Sequence, residues 1–156
     1  MADPNVAIIK TLHNEGGFVD NPADRGGPTN MGITQADLPG TPIQSLTIAQ
    51  AEAYYSEHYW KPLYSQIADQ DVANKLFDMG VLFGIGTVVI FLQTCLKLEP
   101  TDGAFGPNTL EATNEADPAS LLVAFKSVLM THATTIGSTN PTQRQFVKGW
   151  WNRINS

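Results

Sequence analysis

The stretch from Met79 to Leu96 carries no charged side chain, and it restricts the possible folds more than any other part of the chain. An uncharged segment of that length belongs in a bilayer or in a protein core. Gly80, Gly84 and Gly86 interrupt it, and Thr87, Gln93 and Thr94 add polarity. The pattern predicts two buried helices joined at Gly84-Ile85-Gly86, with no stable insertion into a membrane. Such a pair needs further helices to cover it. A chain of 156 residues is long enough to supply them within one domain and one core.

Helix start and stop signals divide the remainder. Asp3-Pro4 is a cap followed by a first-turn proline. Val6, Ile9 and His13, with Ile8 and Leu12, follow at helical spacing until Gly16-Gly17 stops the helix. Residues 18–34 are dense in turn formers flanked by short β-prone pieces, which predicts an irregular hairpin. Thr47 and Gln50 have capping-box spacing, and their helix should run to about Trp60, before Lys61-Pro62. Asp71 is the expected cap of a helix carrying Val72, Leu76 and Phe77. Another helix is expected from about Thr87 to Leu98. Asp102-Gly103 makes a turn, and Gly106-Pro107 opens a short helix. Asp117-Pro118 starts a long helix with Leu121, Leu122, Phe125, Val128 and Leu129 on its apolar face. Asn140-Pro141 starts the last, with Val147, Trp150, Trp151 and Ile154 available to pack. The sum is a mostly α fold of about seven helices with a small irregular β-hairpin lobe near the N-terminus.

Charge narrows the function. The net charge is −6 but uneven: residues 1–125 hold all 15 acids and 5 bases, and residues 126–156 hold 4 bases and no acid. Net acidity argues against nucleic acid as a partner. The basic C-terminus reads as a solvated helix face, or as a contact for an anionic polymer. The single cysteine, Cys95, excludes an intramolecular disulfide and reads as a small buried core residue. His13, His58 and His132 lie too far apart for metal-ligand spacing, and Asp102-Gly103 lacks the further acids of a calcium loop. No metal or other cofactor is expected. The N-terminus, Met-Ala-Asp-Pro-Asn, lacks a basic start with an apolar run, so no ordinary signal peptide is expected.

The residues with the chemistry of a bond-cleaving site are Glu15, Asp24 and Thr29. A carboxylate in the last turn of a helix faces unpaired carbonyls and the negative end of the helix dipole, which disfavour its ionised form. With partial desolvation it becomes a proton donor near neutral pH. Cleavage of a glycosidic bond needs such a donor for the leaving oxygen. Gly16 and Gly17 remove bulk beside it, so that a sugar chain can approach. Asp24 can hold a water or stabilise positive charge on a sugar ring, and Thr29 can orient that water. Each residue also has a purely structural role open to it: Glu15 as a surface residue before a cap, Asp24 as an Asx-turn residue, Thr29 as a partner of the backbone.

The motif Glu15-Gly16-Gly17-Phe18-Val19-Asp20-Asn21-Pro22-Ala23-Asp24-Arg25-Gly26-Gly27-Pro28-Thr29-Asn30-Met31-Gly32-Ile33-Thr34 resembles the signature of glycoside hydrolase family 108. These are N-acetylmuramidases found among phage endolysins and bacterial autolysins. The likeness continues in Glu57-His58-Tyr59-Trp60-Lys61-Pro62 and Leu76-Phe77-Asp78. Further on, Leu92-Gln93 and Leu96, Asp102 to Leu110, and Phe146-Val147-Lys148-Gly149-Trp150 resemble the family's C-terminal part, often described as a predicted peptidoglycan-binding domain. One departure is Leu82-Phe83-Gly84, where many members have a polar Asn and a small residue. The resemblance implies a lysozyme-like fold with a catalytic half over 1–86 and a helical, wall-binding half over 87–156. It places Glu15 at the family's catalytic glutamate, and Asp24 and Thr29 in the order Glu, hairpin Asp, Thr of phage-type lysozymes.

Substrate contacts are expected from Asn30, as a donor to an acetamido group, and from Tyr54 and Tyr59 as cleft walls, with Trp60 in the core. The expected function is a monomeric muramidase acting on bacterial peptidoglycan at the β-1,4 bond after N-acetylmuramic acid. It would be made in the cytoplasm and reach the wall by holin-type or dedicated release. A lytic transglycosylase, or a non-catalytic wall-binding or virion protein, are the competing expectations.

Overall fold

The computed structural model describes residues 1–20 and 27–156. The first helix, α1, spans Pro4–Glu15; Asp3 accepts from the Asn5 amide at 2.8 Å, and Gly16 ends the helix at φ 79°. Two short antiparallel strands follow, β1 (Thr29–Asn30) and β2 (Ile33–Thr34), with Thr29 opposite Thr34 and Asn30 opposite Ile33. The two residues between them, Met31 and Gly32, both take positive φ (50° and 76°). That is the requirement of the tight hairpin turn whose twist matches its strands. Val19 bridges to Thr29 and widens the lobe.

The remaining helices are α2 (Ile48–His58), α3 (Gln70–Phe83), α4 (Ile85–Cys95), α5 (Pro107–Glu115), α6 (Pro118–Thr139) and α7 (Val147–Asn155). Short 3₁₀ turns lie at Ile43–Ser45, Pro62–Gln66 and Arg144–Phe146. Among the described residues this is a mostly α fold with seven helices and one small sheet, as the sequence led us to expect.

α3 is the axis of the packing. Every residue from Val72 to Gly80 is buried, polar ones included. A helix buried all round has no solvated face, and α3 lies between two apolar clusters. Val72, Ala73, Leu76 and Met79 join the larger, with Val88, Leu92, Phe125, Leu129 and Ile154. Phe77 joins the smaller, with Ile8, Ile33, Ile43 and Tyr55. Trp60 packs against both clusters, half-buried, and its indole N–H donates to Ser65 Oγ at 3.0 Å. Gly84 divides the uncharged run at φ 91°, a left-handed conformation that favours glycine, so α3 and α4 turn back on one another.

Several boundaries differ from the sequence expectation. The cap of α3 is Asp69, which accepts from the Val72 amide at 2.9 Å; Asp71 lies inside the first turn. An Asp two residues earlier has the same cap chemistry, and the sequence alone does not separate them. α4 begins at Ile85 rather than Thr87 and ends at Cys95, which is half-buried rather than buried. The last helix begins at Val147. Asn140 instead stabilises a turn by accepting from the Thr142 amide and hydroxyl, and the chain passes through a 3₁₀ turn before α7.

Among the described residues, α6 is the one helix long and apolar enough to cross a bilayer by length and composition, with mean hydropathy 1.3. Leu121, Phe125, Leu129, Ala133 and Gly137 form a buried stripe along it. Asp69→Ala should cost about 1 kcal/mol in urea unfolding, the usual loss for an N-cap, while Asp71→Ala should cost less than half of that.

Candidate active site

Glu15 sits where α1 ends, so its position follows from the Gly16 stop. Its side chain is 18 % exposed, and Oε1 lies 2.6 Å from Arg153 Nη2 on α7. Arg153 is itself half-buried, its side chain 11 % exposed. It holds Asp78 of α3 through three contacts: Nη2 to Oδ1 at 2.9 Å, and Nε to Oδ1 and Oδ2 at 3.2 and 3.1 Å. Asn14, next to Glu15, also reaches both Asp78 oxygens, at 3.4 Å. One guanidinium therefore joins two carboxylates from different helices in a fork geometry suited to arginine.

Burial opposes the charge on Arg153, but hydrogen bonding and charge from Asp78, then Glu15, outweigh it and hold its pKa above the ordinary value. It is a permanent cation. The backbone of α7 is held by another cation, the buried Lys75, whose Nζ donates to the Arg153 carbonyl at 3.0 Å. Desolvation lowers the Lys75 pKa to about 8, against partial support from Asp78.

The hairpin turn presses on Glu15. A Cβ at Gly32 would lie 2.6 Å from Glu15 Oε2 and 2.5 Å from the Tyr55 hydroxyl. Only glycine fits there, both for space and for its φ of 76°. Tyr55 is fully buried and donates to the Met31 carbonyl at 2.9 Å. Burial, and then the Glu15 charge, push its hydroxyl above the ordinary range, so it acts as a neutral donor that fixes the turn. At Gly16 and Gly17, by contrast, a Cβ would meet nothing within 4 Å. The space beside Glu15 is open on that side.

The other expected site residues fall as follows. Thr29 opens β1, and its backbone pairs with Val19 at 2.8 Å in both directions. Asp24 lies outside the described residues. Asn30 is 7 % exposed, and its Nδ2 donates to the Ile43 carbonyl at 3.0 Å, so its amide ties the hairpin to the smaller cluster. Tyr54 and Tyr59 are half-buried on α2 and at its end. The Tyr54 ring stacks on His58 at a centroid distance of 4.2 Å. Burial and then the charge of Asp37 raise the pKa of both tyrosines, with Glu15 a third influence on Tyr59. Among the described residues no cluster of His, Cys, Asp or Glu could hold a metal ion.

Sequence reasoning missed Arg153 and the role of Asp78. One signal was available: an Asp between Phe77 and Met79 in an apolar helix must find a cation if it is buried. Nothing in the sequence says which cation. By sequence Arg153 is one of four C-terminal bases whose face reads as solvated or as a contact for an anionic polymer.

Two outcomes test this geometry. Gly32→Ala should reduce both activity and stability, because the added methyl must displace the Glu15 carboxylate and the buried Tyr55 hydroxyl that fixes the turn. Its left-handed φ should cost about 1–2 kcal/mol in thermal or urea unfolding. For Lys75, the folded pKa near 8 lies below the unfolded value. Between pH 8 and 10 the unfolded chain therefore binds the proton that the folded chain has released, and stability rises with pH. The melting temperature of the wild type should gain on that of Lys75→Met across that window.

Residues 8–84 match the family described as Glycosyl hydrolase 108, and residues 88–155 match the Predicted Peptidoglycan domain. The solved structure of Brucella abortus SagA is similar at a TM-score of 0.79 and 28 % identity, covering 97 % of this chain and 89 % of that one. No curated protein matches the chain. The chain belongs to the glycosyl hydrolase 108 family through residues 8–84 and continues into a peptidoglycan domain over residues 88–155.

Proposed function

We propose that this glycosyl hydrolase is a muramidase that cuts the β-1,4 bond between N-acetylmuramic acid and N-acetylglucosamine, with Glu15 as the general acid. The coarser function, hydrolysis of peptidoglycan, follows from the two family matches. The finer reading is carried by one observation: Glu15 is a half-buried carboxylate held by Arg153 at 2.6 Å, at a helix end whose next two residues leave open space.

The chemistry follows from the charges around it. Carbonyl groups at the end of α1 oppose negative charge on Glu15, while the Arg153 guanidinium supports it. When Glu15 gives its proton to the leaving oxygen, the carboxylate that forms is already paired. Arg153 also fixes the orientation of the carboxyl group, which lowers the entropic cost of aiming the proton. In this reading a water attacks the anomeric carbon, and Asp24 and Thr29 position or activate it. Stereochemistry depends on the separation of the two carboxylates. Tyr54 and Tyr59 flank the cleft as apolar faces for sugar rings. Glu15, Arg153 and Asp78 all come from one chain, so a monomer suffices. We place the action at the cell wall, after holin-type or dedicated release from the cytoplasm.

The test is product analysis on purified sacculi. The wild type should release reducing ends with uptake of water. Glu15→Gln keeps an oxygen acceptor for Arg153, and it should fold normally while losing at least about 10²-fold in rate, the usual contribution of a general acid. Asp24→Ala should lose less. Anhydro ends in the mass spectrum would make the enzyme a lytic transglycosylase. Undiminished lysis by Glu15→Gln would remove Glu15 from the mechanism, and wall binding without release of ends would make the protein a binding module.

A further inference from the structure

A groove of about 560 Å³ runs between α6 and α7, in the segment that matches the peptidoglycan domain. Ligand pockets of comparable size hold small peptides and drug-sized molecules. Its floor is apolar, from Met130 and the aliphatic parts of its neighbours, and Val123 at its edge is 72 % exposed. Apolar surface left open beside polar groups marks a binding site more often than a fold defect.

Its polar groups have a definite arrangement. Lys126 spends one N–H on the Asn155 carbonyl, at 3.3 Å, and an ammonium has three. Trp151 is 39 % exposed, and its indole N–H has no partner among the described residues. Thr131, Thr134 and Thr135 each donate to a carbonyl one turn back, at 3.1, 2.8 and 2.9 Å. Their hydroxyl oxygens therefore present lone pairs as acceptors. The groove offers a cation and an N–H donor, a row of acceptors and an apolar floor. None of the residues lining the groove is acidic, and Lys126 is the one charged side chain among them.

We infer that this groove is a second peptidoglycan site, which takes the carboxylate-bearing stem peptide rather than the glycan strand. A stem peptide has what the groove complements: a carboxylate for Lys126, amide N–H groups for the threonine oxygens, and small alkyl side chains for the floor. A glycan strand presents mainly hydroxyls and acetamido groups and gives Lys126 little to pair with. The site lies apart from the Glu15 centre and rests on the reading of peptidoglycan as substrate. It anchors the wall while Glu15 cuts.

The experiment is an NMR and calorimetric titration of the full chain with three probes: a muramoyl tripeptide with free carboxylates, the same compound amidated, and a peptide-free N-acetylglucosamine oligomer. The free-carboxylate peptide should move the Trp151 indole and Val123 methyl signals. Amidation should weaken it about tenfold, the worth of one charge-assisted hydrogen bond. Lys126→Gln should erase that difference. Val123→Glu, at an open position, should weaken the free-carboxylate peptide and spare the amidated one, and it serves if Lys126→Gln unfolds. Equal affinity for both peptides, groove signals that respond only to the oligomer, or a dimer that Val123→Glu disperses would each overturn the proposal. Release of reducing ends from sacculi, measured in parallel, tests the enzymatic reading separately. A groove that binds in a protein that does not cut would sink that reading alone.

Discussion

Arg153 lies between two carboxylates from distant parts of the chain, Glu15 at the end of α1 and Asp78 in α3. Taking such ions out of water costs several kcal/mol each, and only good geometry with further hydrogen bonds offsets it. Here the offset is visible. Asp78 receives three contacts from Arg153 and weaker ones from Asn14, and Lys75 holds the Arg153 carbonyl. The network binds the first, third and last helices to one another. It also joins the stretch matching the hydrolase family to the stretch matching the peptidoglycan domain, so the candidate acid in one is fixed by a cation from the other.

The network has its position because α3 is buried on every side. A helix between two apolar clusters has no solvated face on which to display its polar residues, so Lys75 and Asp78 are held inside and must be paired. Gly84 makes that position possible by letting α4 fold back over α3. The same reasoning applies at Gly32, where the hairpin turn comes against Glu15 and Tyr55 so closely that a methyl group has no room. Local backbone freedom at these two glycines sets where the charged groups meet.

Much of the architecture was legible beforehand because it rests on short-range chemistry. Asp3-Pro4 and Gly16 bound α1, Thr47 and Gln50 cap α2, and Asp117-Pro118 starts α6, as their residue types require. The errors arose where two residues offered the same chemistry. Asp69 and Asp71 are both sound caps, and packing chose the first. Asn140-Pro141 signals a turn and a helix start equally well, and the chain uses the turn. At the candidate site, Glu15 was legible from its helix end and its resemblance. Asn30, expected from the sequence as a donor to an acetamido group, gives one N–H to the Ile43 carbonyl, a contact that the sequence does not show. Asp24 lies outside the described residues.

The sequence by itself determined the helical order, the break at Gly84, the hairpin and the place of Glu15 in the last turn of α1. These follow from propensity, capping and the periodicity of apolar residues, which act over a few positions. Only the tertiary structure decided that Arg153 leaves the basic C-terminal face and pairs with Glu15 and Asp78, and that α6 and α7 leave a groove between them. The first depends on contacts across 75 and more positions, and the second on contacts across 25 to 29. No local rule reaches that far, since which cation meets a buried carboxylate is fixed by how helices pack.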